Sequence, residues 1–302
     1  MVDILVVGGG PAGLTAALYA GRAGKSVTVI EKNAFGGQIT WSPKVENFPA
    51  TASLSGLEFS DRLTEQVLAH GVNLELDEVT NIQTEQGVVT VSTAFGETFT
   101  GKALILATGA APRRLGLQEE ERFIGSGISF CAVCDGEFFR DKDVAVVGGG
   151  NSALQEAIYL SSLCKTVYLI HRRNEFRADK ALVESMQSRE NIVFIPECVV
   201  SALHGENHLN GVTLQKTDGT TSELLIDGMF LAIGHDPENA LFDPIVPLTS
   251  GGYADADESC KTNLPQIFVA GDCRVKEVQQ LTTAVSDGAT AALAACRYID
   301  EN

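Results

Sequence analysis

The sequence predicts an α/β fold built from two copies of one strand–glycine turn–helix–strand module, the second copy inserted into the first. Three observations predict it. The 302 residues suit two domains at roughly 150 residues each. A glycine turn of one form occurs twice, at residues 8–13 and 148–153. Each copy closes on an apolar strand ending at glycine, and a third such strand late in the chain has no glycine turn of its own.

The first module opens on Met1-Val2-Asp3-Ile4-Leu5-Val6-Val7, an apolar run read as a buried strand. It lacks the basic lead-in of a signal peptide. The turn Gly8-Gly9-Gly10-Pro11-Ala12-Gly13 fits G-x-G-x-x-G, an Ala-rich helix follows, and the next strand, 26–31, ends in Glu31. Together these form a Rossmann-like dinucleotide-binding signature. The glycines let the backbone approach a pyrophosphate, and the helix N-terminus offers unpaired N–H groups. Glu31 would accept from the hydroxyls of a ribose. Short β-rich runs at 72–76 and 88–92 come next, and the strand at 103–107 closes the module at Thr108-Gly109.

The second module repeats the plan with Gly148-Gly149-Gly150-Asn151-Ser152-Ala153 and a strand at 166–171. That strand ends in His171, not in an acid, and Arg172, Arg173 and Arg177 follow. A carboxylate selects a free 2′-hydroxyl, whereas arginines grip a 2′-phosphate bidentately. The second nucleotide is therefore expected to be NADPH. Further β-rich runs lie at 192–195, 211–215 and 223–226, and the closing strand, 229–233, meets Gly234.

The late strand, 266–270, runs into Gly271-Asp272, with a helix from about 279 to 298. Attached to the first module, it gives a discontinuous first domain, 1–112 with 243–302, and an inserted domain, 113–242. The crossings are expected at 112–116 and 236–244. An enzyme with one nicotinamide site needs a second electron carrier. An Asp after such a strand can accept from a ribityl hydroxyl, and the following helix can stabilise a reduced flavin. FAD is therefore expected in the first domain.

Cys131-Ala132-Val133-Cys134-Asp135 lies between the modules. Cysteines at i and i+3 share a helix face within disulfide reach. A zinc centre, two unconnected core thiols and a redox-active disulfide are the readings to weigh. Zinc lacks a second close pair among Cys164, Cys198, Cys260, Cys273 and Cys296, and no metal is expected. Asp135 is a candidate proton donor and acceptor, or a plain turn residue before Gly136.

Composition narrows the function classes. With 22 Lys and Arg against 39 Asp and Glu, the net charge is −17, which disfavours nucleic acid and anionic membranes as partners. No apolar run approaches the ~18 residues of a membrane span. Seven cysteines, an odd number, fit a reducing cytoplasm with one special pair.

The whole chain resembles the low-molecular-weight thioredoxin reductases. The resemblance rests on Gly8–Gly13, Gly36-Gly37-Gln38, Val45-Glu46-Asn47-Phe48-Pro49, Ala107-Thr108-Gly109, the Cys-x-x-Cys-Asp core, Gly148–Ala153, His171-Arg172-Arg173 with Arg177, Ile233-Gly234, Gly271-Asp272 and Thr283-Ala284. It implies a hydride path from NADPH to FAD, then to Cys131–Cys134, then by dithiol exchange to thioredoxin. Cys134 would face the flavin, Cys131 would attack thioredoxin, and Asp135 would move the proton. Gly37, Gln38, Asn47, Gln280, Leu281 and Thr282 would lie against FAD. It also implies a homodimer and a rotation of the inserted domain, because nicotinamide and disulfide must reach one flavin. Dithiol oxidases, ferredoxin-fed reductases and reductases of specialised thioredoxin-like partners share this fold. Two departures stand out: Gln279 replaces the family's common Arg, and Gln118-Glu119-Glu120-Glu121 replaces a glycine–acid pair.

Overall fold

The structure, a computed structural model, describes residues 1–42 and 44–302. The chain divides into two compact units, Met1–Ala111 with Asp236–Asn302, and Pro112–His235.

The first unit opens with β1 (Val2–Val7), α1 (Pro11–Arg22) and β2 (Val27–Glu31). Helix α2 (Gly56–Leu68) leads to β3 (Asn73–Leu76), β4 (Val79–Glu85), β5 (Val88–Thr93) and β6 (Thr98–Leu106). The sheet order is β3-β2-β1-β6-β5-β4. Strands β3, β2, β1 and β6 run parallel, and β5 and β4 continue antiparallel from the first half of β6. Central β1 is buried on both faces, as a covered parallel strand must be. Ile4 and Val6 enter one core with α1, while Leu5 and Val7 enter the other.

A short strand β7 (Ala110–Pro112) leads into the second unit. There α3 (Glu120–Phe123), β8 (Ile128–Ser129) and α4 (Ala132–Asp135) precede the repeated module, β9 (Asp143–Val147), α5 (Asn151–Ser161) and β10 (Thr166–Ile170). Helix α6 (Lys180–Gln187) and β11 (Ile192–Ile195) follow. An antiparallel trio comes next, β12 (Cys198–His204), β13 (Gly211–Lys216) and β14 (Thr221–Leu225), and β15 (Gly228–Leu231) ends the unit. Five parallel strands stand in the order β11-β10-β9-β15-β8. In the acidic segment, the buried Glu120 carboxylate accepts the N–H groups of Leu115, Gly116 and Leu117 at 2.8–3.2 Å. Its role is to tie down its own loop.

The return strand β16 (His235–Pro237) pairs with β7 as a two-stranded ribbon. Strand β17 (Ile267–Val269) then joins β6 in parallel, and α7 (Leu281–Glu301) packs on α1. The late segment thus belongs to the first sheet. The second crossing falls at 235/236, seven residues before the expected 242/243, and the first falls at 111/112. Phe242 and Val246 decide this, because both are buried in the core that holds Leu5 and Leu104. No helix among the described residues is long and apolar enough to cross a membrane.

Candidate active site

In the second unit, Cys131 and Cys134 close a disulfide with their Cα atoms 5.3 Å apart. Cys131 caps α4, and its Sγ accepts the Cys134 N–H at 3.2 Å. Asp135 follows in the same turn. Its Oδ2 accepts the Ser129 hydroxyl at 2.6 Å, while Oδ1 is buried with no hydrogen-bond partner. Burial raises the Asp135 carboxyl above its ordinary range, and the Ser129 hydroxyl partly counters it. Oδ1 is therefore the oxygen placed to carry a proton. Ser129 Oγ also accepts the Cys131 N–H at 3.1 Å, so one hydroxyl joins the acid to the sulfur pair. Sequence reasoning missed Ser129, which sits two residues before the first cysteine and has no motif of its own. Because its hydroxyl favours the carboxylate, Ser129→Ala should move the proton-dependent limb of the pH–rate profile upward by about one unit. Rates across pH check this; an unmoved limb contradicts it.

The first unit carries a cleft lined by Gly8, Gly10, Pro11, Ala12, Glu31, Gly37, Gln38, Thr108, Gly109, Gly271, Asp272, Gln280 and Leu281. These thirteen expected positions include the turn, the acid and the late strand end, and the fold brings them together from six segments of chain. Gly8 has φ +104°, and a Cβ there would stand 2.3 Å from Ala107 O, so the turn needs glycine. At Gly10 a Cβ would meet nothing nearer than Gly36 O at 4.0 Å, so its bare face opens into the cleft. Gly13 serves packing instead, since a Cβ would lie 1.9 Å from Gly8 O. Glu31 accepts the Gly9 N–H at 2.7 Å and the Asn33 N–H at 2.9 Å, and each oxygen keeps acceptor capacity.

Other expected residues have protein partners. Gln38 Nε2 donates to Ala110 O at 3.0 Å, and Thr108 Oγ1 to the buried Asn239 at 3.3 Å. Asn47 and Thr282 do not line the cleft, but Asn47 Nδ2 donates to Gln280 Oε1 at 3.3 Å. Gln280 itself caps α7. Gln279 donates to Asp272 O at 3.3 Å. Among residues not expected, Lys32 and Asp77-Glu78-Val79 line the cleft, brought there by the parallel pairing of β2 and β3.

Asp272 offers the clearest test of fit for a ligand hydroxyl. Its Oδ1 is buried without a hydrogen-bond partner, and Lys276 Nζ stands 3.8 Å away. Burial pushes this carboxyl from 3.8 up to about 6, with Lys276 opposing. Between those values the folded chain holds a proton that the unfolded chain has lost. Stability should therefore fall as pH rises from about 4 to about 6, and Asp272→Asn should flatten that fall. Urea midpoints of the flavin-stripped protein across this range check it; equal slopes in both proteins contradict it.

A buried charge network behind this segment was also invisible in the sequence. Asp287, in α7, accepts Arg274 at 2.9 Å, Lys276 at 3.0 Å and the Gly271 N–H at 3.0 Å. It anchors the strand end that carries Asp272.

The second glycine turn repeats the first. A Cβ at Gly148 would stand 2.4 Å from Ala232 O, and Ala153 is buried beneath it. At Gly150 the nearest atom is Arg177 O at 3.8 Å, so this face too is open. The Arg177 N–H bonds Gly149 O at 2.7 Å, which holds Arg177 beside the turn. Arg172, Arg173 and Arg177 are exposed, and none of their guanidinium groups has an ion-pair or hydrogen-bond partner among the described residues. His171 is different. It is buried, stacks on Phe176 and bonds Glu175 O at 3.2 Å, so it props the turn. Burial, then the nearby arginines, lowers its pKa and keeps it neutral. Asn151 exchanges two hydrogen bonds with Asp179, at 2.8 and 2.9 Å, and Ser152 is exposed at the helix start. Ile233 packs on the core, and Gly234 takes φ +102° and accepts the Arg113 N–H.

Comparison with known proteins agrees with this arrangement. Residues 2–288 match the family described as pyridine nucleotide-disulphide oxidoreductase. The chain is 38% identical over 313 residues to the thioredoxin reductase of Helicobacter pylori strain J99, covering all of both chains. It is 41% identical over 300 residues to that of Treponema pallidum, covering 99% of this chain and 97% of that one. The crystal structure of thioredoxin reductase from Streptococcus pyogenes superposes with a TM-score of 0.95 at 37% identity, covering 100% of this chain and 99% of that chain. The chain belongs to the pyridine nucleotide-disulphide oxidoreductase family and, within it, to the thioredoxin reductases.

Proposed function

We propose that this chain reduces the disulfide of thioredoxin with electrons from NADPH, relayed by FAD and by Cys131–Cys134. The observation that carries the reading is one unit holding both a disulfide beside a buried acid and a dinucleotide turn ringed by unpaired guanidinium groups.

The residues present fit a dinucleotide in each unit. In the first, Gly10 leaves its face open, Glu31 has acceptor capacity for ribose hydroxyls, and Asp272 Oδ1 lacks a donor. FAD bound there supplies a two-electron relay between a nicotinamide and a disulfide. In the second, Gly150 and the first turn of α5 take the pyrophosphate, and Arg172, Arg173 and Arg177 supply a grip for a 2′-phosphate.

The chain's own groups do the rest. Opening Cys131–Cys134 consumes two electrons and two protons. Asp135 Oδ1 holds a proton in a dry turn and can give it to, or take it from, the sulfur pair. Ser129 holds the other carboxyl oxygen and the Cys131 N–H through one hydroxyl. A thiolate of the opened pair then attacks the thioredoxin disulfide, one S–S bond forms as another breaks, and the second thiol releases the reduced partner. Rotation of the inserted unit about its two crossings would present the pair first to the flavin and then to thioredoxin.

The five other cysteines are free and buried, which suits a reducing compartment, and we place the enzyme in the cytoplasm as a homodimer. Steady-state NADPH consumption tests the reading. It should depend on added thioredoxin; rapid consumption with oxygen alone would mark a dithiol oxidase instead.

A further inference from the structure

The segment that carries Arg177 joins β10 to α6 and is fastened on both sides of that arginine. Before it, the Phe176 ring packs on His171 and Phe194, with centroids 5.9 and 4.5 Å apart. At Arg177 itself the backbone bridges to Gly150, and the Arg177 N–H bonds Gly149 O at 2.7 Å. After it, Asp179 and Asn151 exchange two hydrogen bonds. The Asp179 N–H donates to Asn151 Oδ1 at 2.8 Å, and Asn151 Nδ2 donates to Asp179 Oδ2 at 2.9 Å. The exchange fixes which way the amide faces, because an N–H needs an acceptor and a carboxylate needs a donor. Asp179 immediately precedes α6, where an aspartate commonly caps its own helix. Its side chain makes no such bond. It bonds instead to the first residue of α5, 28 positions earlier.

We propose that Asp179 is a specificity-determining positioning residue for the nucleotide's 2′-phosphate, fixing Arg177 against the second glycine turn through Asn151. A nucleotide with a 2′-phosphate has two anionic anchors, the pyrophosphate and that phosphate, and the span between them is set by its own covalent frame. The protein must present its two grips at the matching span. One grip is the turn and the start of α5, and Asn151 is the first residue of that helix. The other includes Arg177, two residues before Asp179. Bonds from Gly149 and Asn151 to either side of the arginine join the two grips into one piece. A grip held in place before the ligand arrives loses less freedom when it closes. A nucleotide without the 2′-phosphate uses only the first grip, so it gains little from the fastening. Loss of the Asp179 side chain should therefore weaken one ligand class and spare the other. A purely structural role would weaken both alike.

This inference rests on the reading of the second turn as a site for a 2′-phosphorylated nucleotide. The test is calorimetric titration of the full-chain holoenzyme with two redox-inert probes, 2′-phospho-ADP-ribose and ADP-ribose. Asp179→Ala should weaken the phosphorylated probe at least about fivefold, the scale of one lost hydrogen bond, and leave ADP-ribose within about twofold. Asp179→Asn keeps an acceptor oxygen at the same reach and should hold the wild-type ratio. Asp179→Ser can cap α6 but falls short of Asn151, so it should follow Asp179→Ala. If Asp179→Ala fails to fold, the Asn and Ser variants carry the same contrast. An unmoved ratio in Asp179→Ala, Asp179→Asn as displaced as Asp179→Ala, or Asp179→Ser as close to wild type as Asp179→Asn overturns the proposal alone. A wild-type protein that binds both probes equally overturns the 2′-phosphate reading and this proposal with it.

Discussion

Cys134→Ser should lower NADPH-driven thioredoxin reduction by at least about a thousandfold, the scale on which loss of a covalent participant is felt. The reason is stoichiometric. The pair carries two electrons only while both sulfurs are present, and serine cannot form or open a disulfide. Cys134 is half-buried on a four-residue helix, so the isosteric change disturbs little packing. Flavin content and bleaching by NADPH should survive, because the first-unit cleft is built from other segments. Turnover near the wild-type rate in this variant would show that electrons bypass the pair.

The second large effect concerns the nucleotide. Removing Arg172, Arg173 and Arg177 together, each to Ala, should raise the KM for NADPH by at least about a hundredfold and leave that for NADH nearly unchanged. A single hydrogen bond to a charged group contributes about 1.5–3 kcal/mol, and each 1.4 kcal/mol is a factor of ten. All three side chains are exposed and lack protein partners among the described residues, so the fold should not suffer. Wild-type preference for NADPH should weaken with added salt, as screening reduces exposed electrostatics. Comparable KM values for both nucleotides in the unaltered protein would remove the role given to these arginines.

The glycine turns were legible because their constraints are local. Gly8 and Gly148 answer to a carbonyl that the next strand must bring, and the motif encodes that approach. The strand at 192–195 and the late strand joining the first sheet could be read from apolar runs and turn signals. Strands Val79–Glu85 and Cys198–His204 were not read, because their apolar positions alternate weakly with polar ones on half-exposed ribbons. The boundary at 235/236 was misplaced because proline and acid at 236–244 look like a linker, while Phe242 inside that stretch and Val246 just beyond it are buried.

Contacts across the fold left the least trace. Asp287 meets Gly271 and Arg274 over 16 and 13 residues, and it resembles any helix acid until the fold closes. Asn151 sits in a nucleotide motif yet spends its amide on Asp179, 28 residues away. Motif spacing shows which backbone approaches a ligand; it does not show which side chains hold that backbone in place.

The central claim is that Cys131–Cys134 carries electrons from NADPH to thioredoxin. Differential alkylation followed by mass spectrometry tests it most directly, on anaerobic protein before NADPH, after NADPH, and after excess oxidised thioredoxin. The account predicts a pair that is closed, then open, then closed again, with the other five cysteines unchanged throughout. A pair that stays closed with NADPH, or opens and is not reclosed by thioredoxin, would contradict it.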